Sequence, residues 1–133
     1  MNTARELSLA SLKAVANKQR EEWLQLFADD AVVEDPVGKS MFDPEGKGHR
    51  GRAAIASFYD RFVCKNKKFE FLIREWHACG DEVASAATFT MTGEDDVARQ
   101  LDLITVHKAT PDGKLASIRA FWSFEGIRVR SAG

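Results

Sequence analysis

A chain of 133 residues is one ordinary domain, and its 44% hydrophobic and 29% charged content excludes disorder and collagen-like structure. Nineteen basic residues against 20 acidic ones give a net charge of −1, a poor match to the basic surface that neutralising nucleic-acid phosphates demands. The longest apolar runs span a few residues, far short of the ~20 needed to cross a bilayer.

Leu7, Leu9, Leu12, Val15 and Ala16 recur at helical spacing and predict an amphipathic helix over 4–17. The charged stretch to Glu22 interrupts it, and Trp23 to Ala28 forms a second short helical patch. Ala31 to Glu34, with Val32 and Val33, reads as a short strand ended by Pro36 and Gly38. Residues 37–51 hold Gly38, Gly46, Gly48, Gly51 and Pro44, the composition of an extended surface loop. Arg52 to Phe62 predicts a helix with Ile55, Phe58, Tyr59 and Phe62 along one face. Four long strands follow: Phe69 to His77, Glu82 to Thr92, Arg99 to Lys108 and Leu115 to Val129. Gly80-Asp81, Gly93 to Asp96 and Pro111-Asp112-Gly113 supply the turns between them. Val83, Ser85, Ala87, Phe89 and Met91 alternate with the threonines at 88, 90 and 92, which gives one buried and one wetter face. Helices first and sheet afterwards predict an α+β domain, with the helices on one concave face of a curved sheet.

Cys64 and Cys79 have neither metal-site spacing nor a disulfide framework, and two buried free thiols are expected. The N-terminal stretch meets Glu6 at once and lacks an apolar signal core, so cytoplasm is the expected compartment. There is no Gly-rich phosphate loop, no Gly-x-Ser-x-Gly and no His-Glu-x-x-His. His49, His77 and His107 fall in a loop and two different strands, which makes a shared metal site improbable. No metal or organic cofactor is expected.

The informative segment is Phe27-Ala28-Asp29-Asp30-Ala31-Val32-Val33-Glu34-Asp35-Pro36-Val37-Gly38. Asp35 ends an apolar strand, and Pro36 restricts it to extended geometry. An Asp-Pro pair also simply starts turns. Set beside a large apolar pocket, however, that carboxylate would be desolvated and become a stronger base toward a carbon acid.

This segment resembles the signature of bacterial ketosteroid isomerases, members of the NTF2-like or SnoaL-like superfamily. Ala54-Ile55-Ala56-Ser57-Phe58-Tyr59, Pro111-Asp112-Gly113-Lys114 and Ile118-Arg119-Ala120-Phe121-Trp122 extend the resemblance in the same order over most of the chain. It implies a cone-shaped NTF2-like fold: a curved, mostly antiparallel sheet with three N-terminal helices over its concave face. In that family an Asp moves a proton between two carbons of a steroid, while a Tyr and a protonated Asp stabilise the dienolate oxygen. By resemblance Asp35 falls on the base, Tyr59 on a tyrosine behind the oxyanion tyrosine, and Trp122 on an aromatic lining the steroid pocket.

Two family positions are changed. Ungapped counting puts Ser11 on the oxyanion tyrosine and Thr105 on the oxyanion aspartic acid. Asp102 is three residues from Thr105 and so faces the other side of its strand unless a bulge turns it. Phe27 stands where the family has a supporting tyrosine. Oxyanion donors are typically worth ~3 kcal/mol each, so the resemblance implies an attenuated isomerase or a substrate whose oxygen lies elsewhere. Tyr59 has room to move toward the oxygen once its neighbour is only Ser11.

The implied pocket wall is Val15, Phe27, Phe58, Phe62, Phe89, Met91, Leu101, Leu103, Ile118 and Trp122, around a small, hydrophobic, steroid-like molecule. His107 shares the face of Leu101, Leu103 and Thr105 and is expected at the wet end of the sheet, the alternative being a proton donor in the cavity. The segment from Lys39 to Arg50 is longer than the isomerase pattern requires. It reads as a solvated loop, or as a lid whose Lys39, Lys47, His49 and Arg50 contact a polar tail. Other readings are a SnoaL-like cyclase, dehydratase or hydrolase using Asp35 with His107, and a non-catalytic binding protein. Ile104, Val106 and Phe121, opposite the pocket, are the expected homodimer face.

Overall fold

The computed structural model describes residues 3–130. Three helices, α1 (Ala4–Ala16), α2 (Arg20–Gln25) and α3 (Arg52–Arg61), accompany seven strands. The strands are β1 (Phe27–Glu34), β2 (His49–Arg50), β3 (Lys68–Cys79), β4 (Glu82–Thr92), β5 (Ala98–Ala109), β6 (Leu115–Phe121) and β7 (Arg128–Val129). They form one sheet in the order β2-β1-β6-β5-β4-β3, with β7 added to β5. Only the β1–β6 pairing is parallel. The class is the expected α+β, with a curved, unclosed sheet.

Thr3 starts α1 with a reciprocal cap. Its hydroxyl accepts from the Glu6 amide at 3.2 Å, and the Glu6 carboxylate accepts from the Thr3 amide at 3.0 Å. The helix lays Leu7, Ser8, Ser11 and Leu12 against β3, β4 and β5. The alternation is realised along β5 and in β4 as far as Ala87: Val83, Ser85 and Ala87, and Leu101, Leu103, Thr105 and His107, all point into the concave face. Further along β4, Thr90 is buried and Phe89 and Met91 are only half-buried. The β4–β5 ladder runs from Glu82↔Lys108 to Thr92↔Ala98 without a bulge, so Asp102 stays on the outer face. There it accepts from Thr88 at 2.7 Å and from Arg128 at 3.2 Å.

Several expectations change. The second helix ends at Gln25, and the strand after it begins at Phe27 rather than Ala31, because Phe27 pairs with Leu115 of β6. The final strand is not continuous to Val129. A 3-10 turn at Phe124–Gly126 breaks it into β6 and β7. The 37–51 loop contains β2 and folds back on β1. Gly48, at φ +81°, passes so near Val32 that a Cβ would lie 2.8 Å from its Cγ1. Cys64 and Cys79 are free but exposed, not buried: Cys64 sits on a 3-10 turn and Cys79 at the end of β3. Among the described residues no helix is long and apolar enough to cross a membrane.

Candidate active site

Between α1, α3 and the concave face lies a cavity with two adjoining lobes, of about 120 Å³ and about 250 Å³. Together they fall within the lower part of the ~300–1,000 Å³ range of small-molecule sites. Along β5 the order is telling: Arg99 and Leu101 line the outer lobe, Thr105 and His107 the inner one. The strand therefore runs from the mouth to the deep end. Asp35 borders both lobes, together with Phe58, Phe89 and Met91.

Strand alternation explains the aim of Asp35. Val33 points inward, Glu34 points outward to Arg119 at 3.0 Å, and Asp35 points inward again. Behind a cis Asp35–Pro36 peptide, the Val37 amide donates to the Ala120 carbonyl at 2.9 Å and holds the segment against β6. The Trp122 indole N–H donates to Asp35 Oδ1 at 2.6 Å. Burial pushes the Asp35 carboxyl above the usual carboxylate range, and the Trp122 bond pulls it partly back. The result is a carboxylate held in one orientation, more basic than in water, and facing an apolar space.

The deep end is polar. The Trp23 indole donates to Ser11 Oγ at 2.9 Å, which leaves the serine proton free to point elsewhere. Ser85 and Thr105, opposite each other across β4 and β5, share a 2.6 Å hydroxyl–hydroxyl bond. One of the two donates to the other, and the acceptor keeps a proton for a ligand. His107 is only 2% exposed, correcting the expectation that it sits at a wet strand end. Its Nδ1 has no hydrogen-bond partner among the described residues, and desolvation lowers its pKa to about 4.

Most of the predicted residues gather around this cavity. Ser11, Val15, Thr105 and Ile118 line the inner lobe, Phe62, Leu101 and Trp122 the outer, and Phe58, Phe89 and Met91 both. Three do not reach it. Phe27 is fully buried with its ring edge-on to Trp23 at 4.8 Å, and Leu103 packs into a core cluster with Ala87, Leu101 and Ala120. Tyr59 stays in the core, its ring 5.4 Å from Trp23, and burial raises its pKa. Trp23, not Tyr59, occupies the space beside Ser11 because its bulk and indole N–H both find a fit there.

Trp23 and Phe42 also line the cavity, outside the segments that carry the family resemblance. Phe42 stands alone as an aromatic in a loop of Gly, Lys and Pro, and that isolation is the signal that it is used. Its ring lies 4.3 Å from Phe62, 5.3 Å from Phe124 and 6.3 Å from Trp122, over the outer lobe. Lys39, Lys47 and Arg50 are exposed, while His49 stacks on Phe58 at 4.4 Å. The cations of the loop are thus solvated, and its aromatic covers the lobe.

The SnoaL-like domain profile matches residues 9–130, so the chain belongs to the SnoaL-like family. It is 33% identical over 115 residues to a steroid Δ-isomerase of Nocardioides simplex, covering 84% of this chain and 83% of that one. Among solved structures it resembles the Δ5-3-ketosteroid isomerase from a Mycobacterium species, with a TM-score of 0.90 and 26% identity over 98% of this chain and 100% of that one. A Mycobacterium tuberculosis protein solved with estradiol-17β-hemisuccinate has a TM-score of 0.87 and 26% identity, over 96% of this chain and 99% of that one.

Proposed function

We propose that the chain is a ketosteroid isomerase-like enzyme that moves a proton between two carbons of a steroid or related polycyclic ketone. The observation that carries this is Asp35: a carboxylate aimed by Trp122, raised in basicity by burial, and set where two apolar lobes meet. Asp35 takes the proton from carbon and returns it to another. The substrate carbonyl is the electron sink, so the scheme needs no metal or organic cofactor. Thr105 and Ser11, both lining the inner lobe, are the hydroxyl donors for the oxygen as it gains charge. Hydroxyls are weaker donors than a phenol or a carboxylic acid, so turnover is slow relative to enzymes that have both. Kinship with a steroid Δ-isomerase and with a structure that holds a steroid ester supports the substrate class.

The test is the ultraviolet assay for conversion of a Δ5-3-ketosteroid to its conjugated Δ4 isomer, with wild type beside Asp35→Asn. The reading requires conversion that is lost in the variant. Tight steroid binding without any conversion would instead support a hydrophobic-ligand binding protein. A dehydratase or hydrolase using Asp35 with His107 as an acid is disfavoured, because a histidine titrating near 4 carries no spare proton at neutral pH.

We also infer a homodimer through the outer face of the sheet, where Leu72, Ile104 and Phe121 are exposed. Ile104→Lys should reduce the mass measured by light scattering to that of one chain.

A further inference from the structure

The deep end of the inner lobe holds more polar groups than the proposed reaction has used. Ser8, one turn before Ser11 on α1, is fully buried with its hydroxyl unpartnered among the described residues, but it does not line the lobe. His107 lines the lobe two residues beyond Thr105 on the same face of β5, roughly 7 Å deeper at ~3.4 Å per residue. Between Thr105 and Arg99 at the outer lobe, the residues on that face, Leu101 and Leu103, are apolar. A buried imidazole whose ring nitrogen has no protein partner lowers stability, and a leucine would fill similar space without that cost. Nδ1 is sealed inside the protein, whereas Nε2 is neither sealed nor bonded to a protein group among the described residues, so the ring meets the lobe through Nε2.

We infer that His107 is a ligand-binding residue that donates a hydrogen bond to the carbonyl oxygen of the bound ketone, as a third donor beside Thr105 and Ser11. This rests on the proposed reading of the site and assigns the ketone end of the ligand to the deep end. No proton is transferred in this step. No protein acceptor among the described residues fixes the ring proton, so the bound oxygen selects the tautomer that donates to it. Burial keeps the ring uncharged at neutral pH, and an uncharged donor does not compete with Asp35 for the substrate's proton.

The test pairs two ligands with three proteins. The dissociation constants of a Δ4-3-ketosteroid and of the same skeleton without the 3-oxygen are measured by calorimetry for wild type, His107→Leu and His107→Gln. Wild type should prefer the ketone. His107→Leu should lose roughly tenfold in ketone affinity, the worth of one hydrogen bond. The same variant should bind the deoxygenated skeleton unchanged and melt at a higher temperature. His107→Gln, which keeps an N–H, should recover part of the preference. An intact ketone preference in His107→Leu, or equal weakening of both ligands, overturns the assignment. Absence of any ketone preference in wild type overturns the steroid-ketone reading itself, and the assignment with it.

Discussion

Replacing Trp122 by Phe isolates the one polar contact that restrains the proposed base. The ring remains to fill the outer lobe, but the indole N–H that donates to Asp35 Oδ1 at 2.6 Å is lost. A hydrogen bond to a charged group contributes about 1.5–3 kcal/mol, and here all of it favours the ionised form of Asp35. Burial acts in the opposite direction and is left unopposed, so Asp35 holds its proton to higher pH in the variant. The acid limb of kcat/KM, where activity requires an ionised base, must move to higher pH. At a fixed pH on that limb the variant should be slower by about ten- to a hundredfold, since each 1.36 kcal/mol is tenfold. On the alkaline plateau the two enzymes should differ far less. The assay is kcat/KM against pH with the same Δ5-3-ketosteroid. An acid limb that stays in place, or moves to lower pH, would refute the claim that Trp122 sets the protonation of Asp35.

Stability offers a second view of the same carboxyl. Its folded pKa lies above the unfolded value, so Asp35 destabilises the native state as pH rises through the ordinary Asp range and beyond. Asp35→Asn should therefore abolish turnover yet raise Tm by a few degrees at pH 7, with the gain vanishing below about pH 3.9; differential scanning calorimetry across pH checks this. Ser11→Ala removes the acceptor of the buried Trp23 indole and should cost about 1–3 kcal/mol, a fall in Tm of several degrees. In the double variant with Trp23→Phe, the two losses should sum to more than the measured change. Asp102→Asn, on the outer face beside Arg128, should change stability by less than about 1 kcal/mol and leave turnover intact, which steady-state kinetics and a melt together measure.

Local chemistry made part of this molecule legible in the sequence. Period-two alternation gave the inner faces of β4 and β5, and Pro111-Asp112-Gly113 marked their hairpin neighbour, where Gly113 adopts φ +82°. Asp35 could be read because a strand ending in Asp-Pro fixes both the direction and the extended geometry of one carboxylate. What stayed hidden depends on contacts between distant segments. The Trp23–Ser11 bond joins α2 to α1, and no periodicity encodes how two helices meet. Alternation put His107 on the same face as Thr105 but says nothing of how deep in a curved sheet that face lies. The break at Ser123 to Gly126 followed a run rich enough in strand-forming residues to conceal it.

The most direct test of the central claim, that Asp35 itself carries the proton, uses a Δ5-3-ketosteroid bearing deuterium at C4, turned over in ordinary water. A single base enclosed by apolar walls should deliver part of the label to C6 of the Δ4 product, visible by mass spectrometry and NMR, and Asp35→Asn should deliver none. Complete loss of the label to water at undiminished turnover, or transfer that survives in Asp35→Asn, would contradict it.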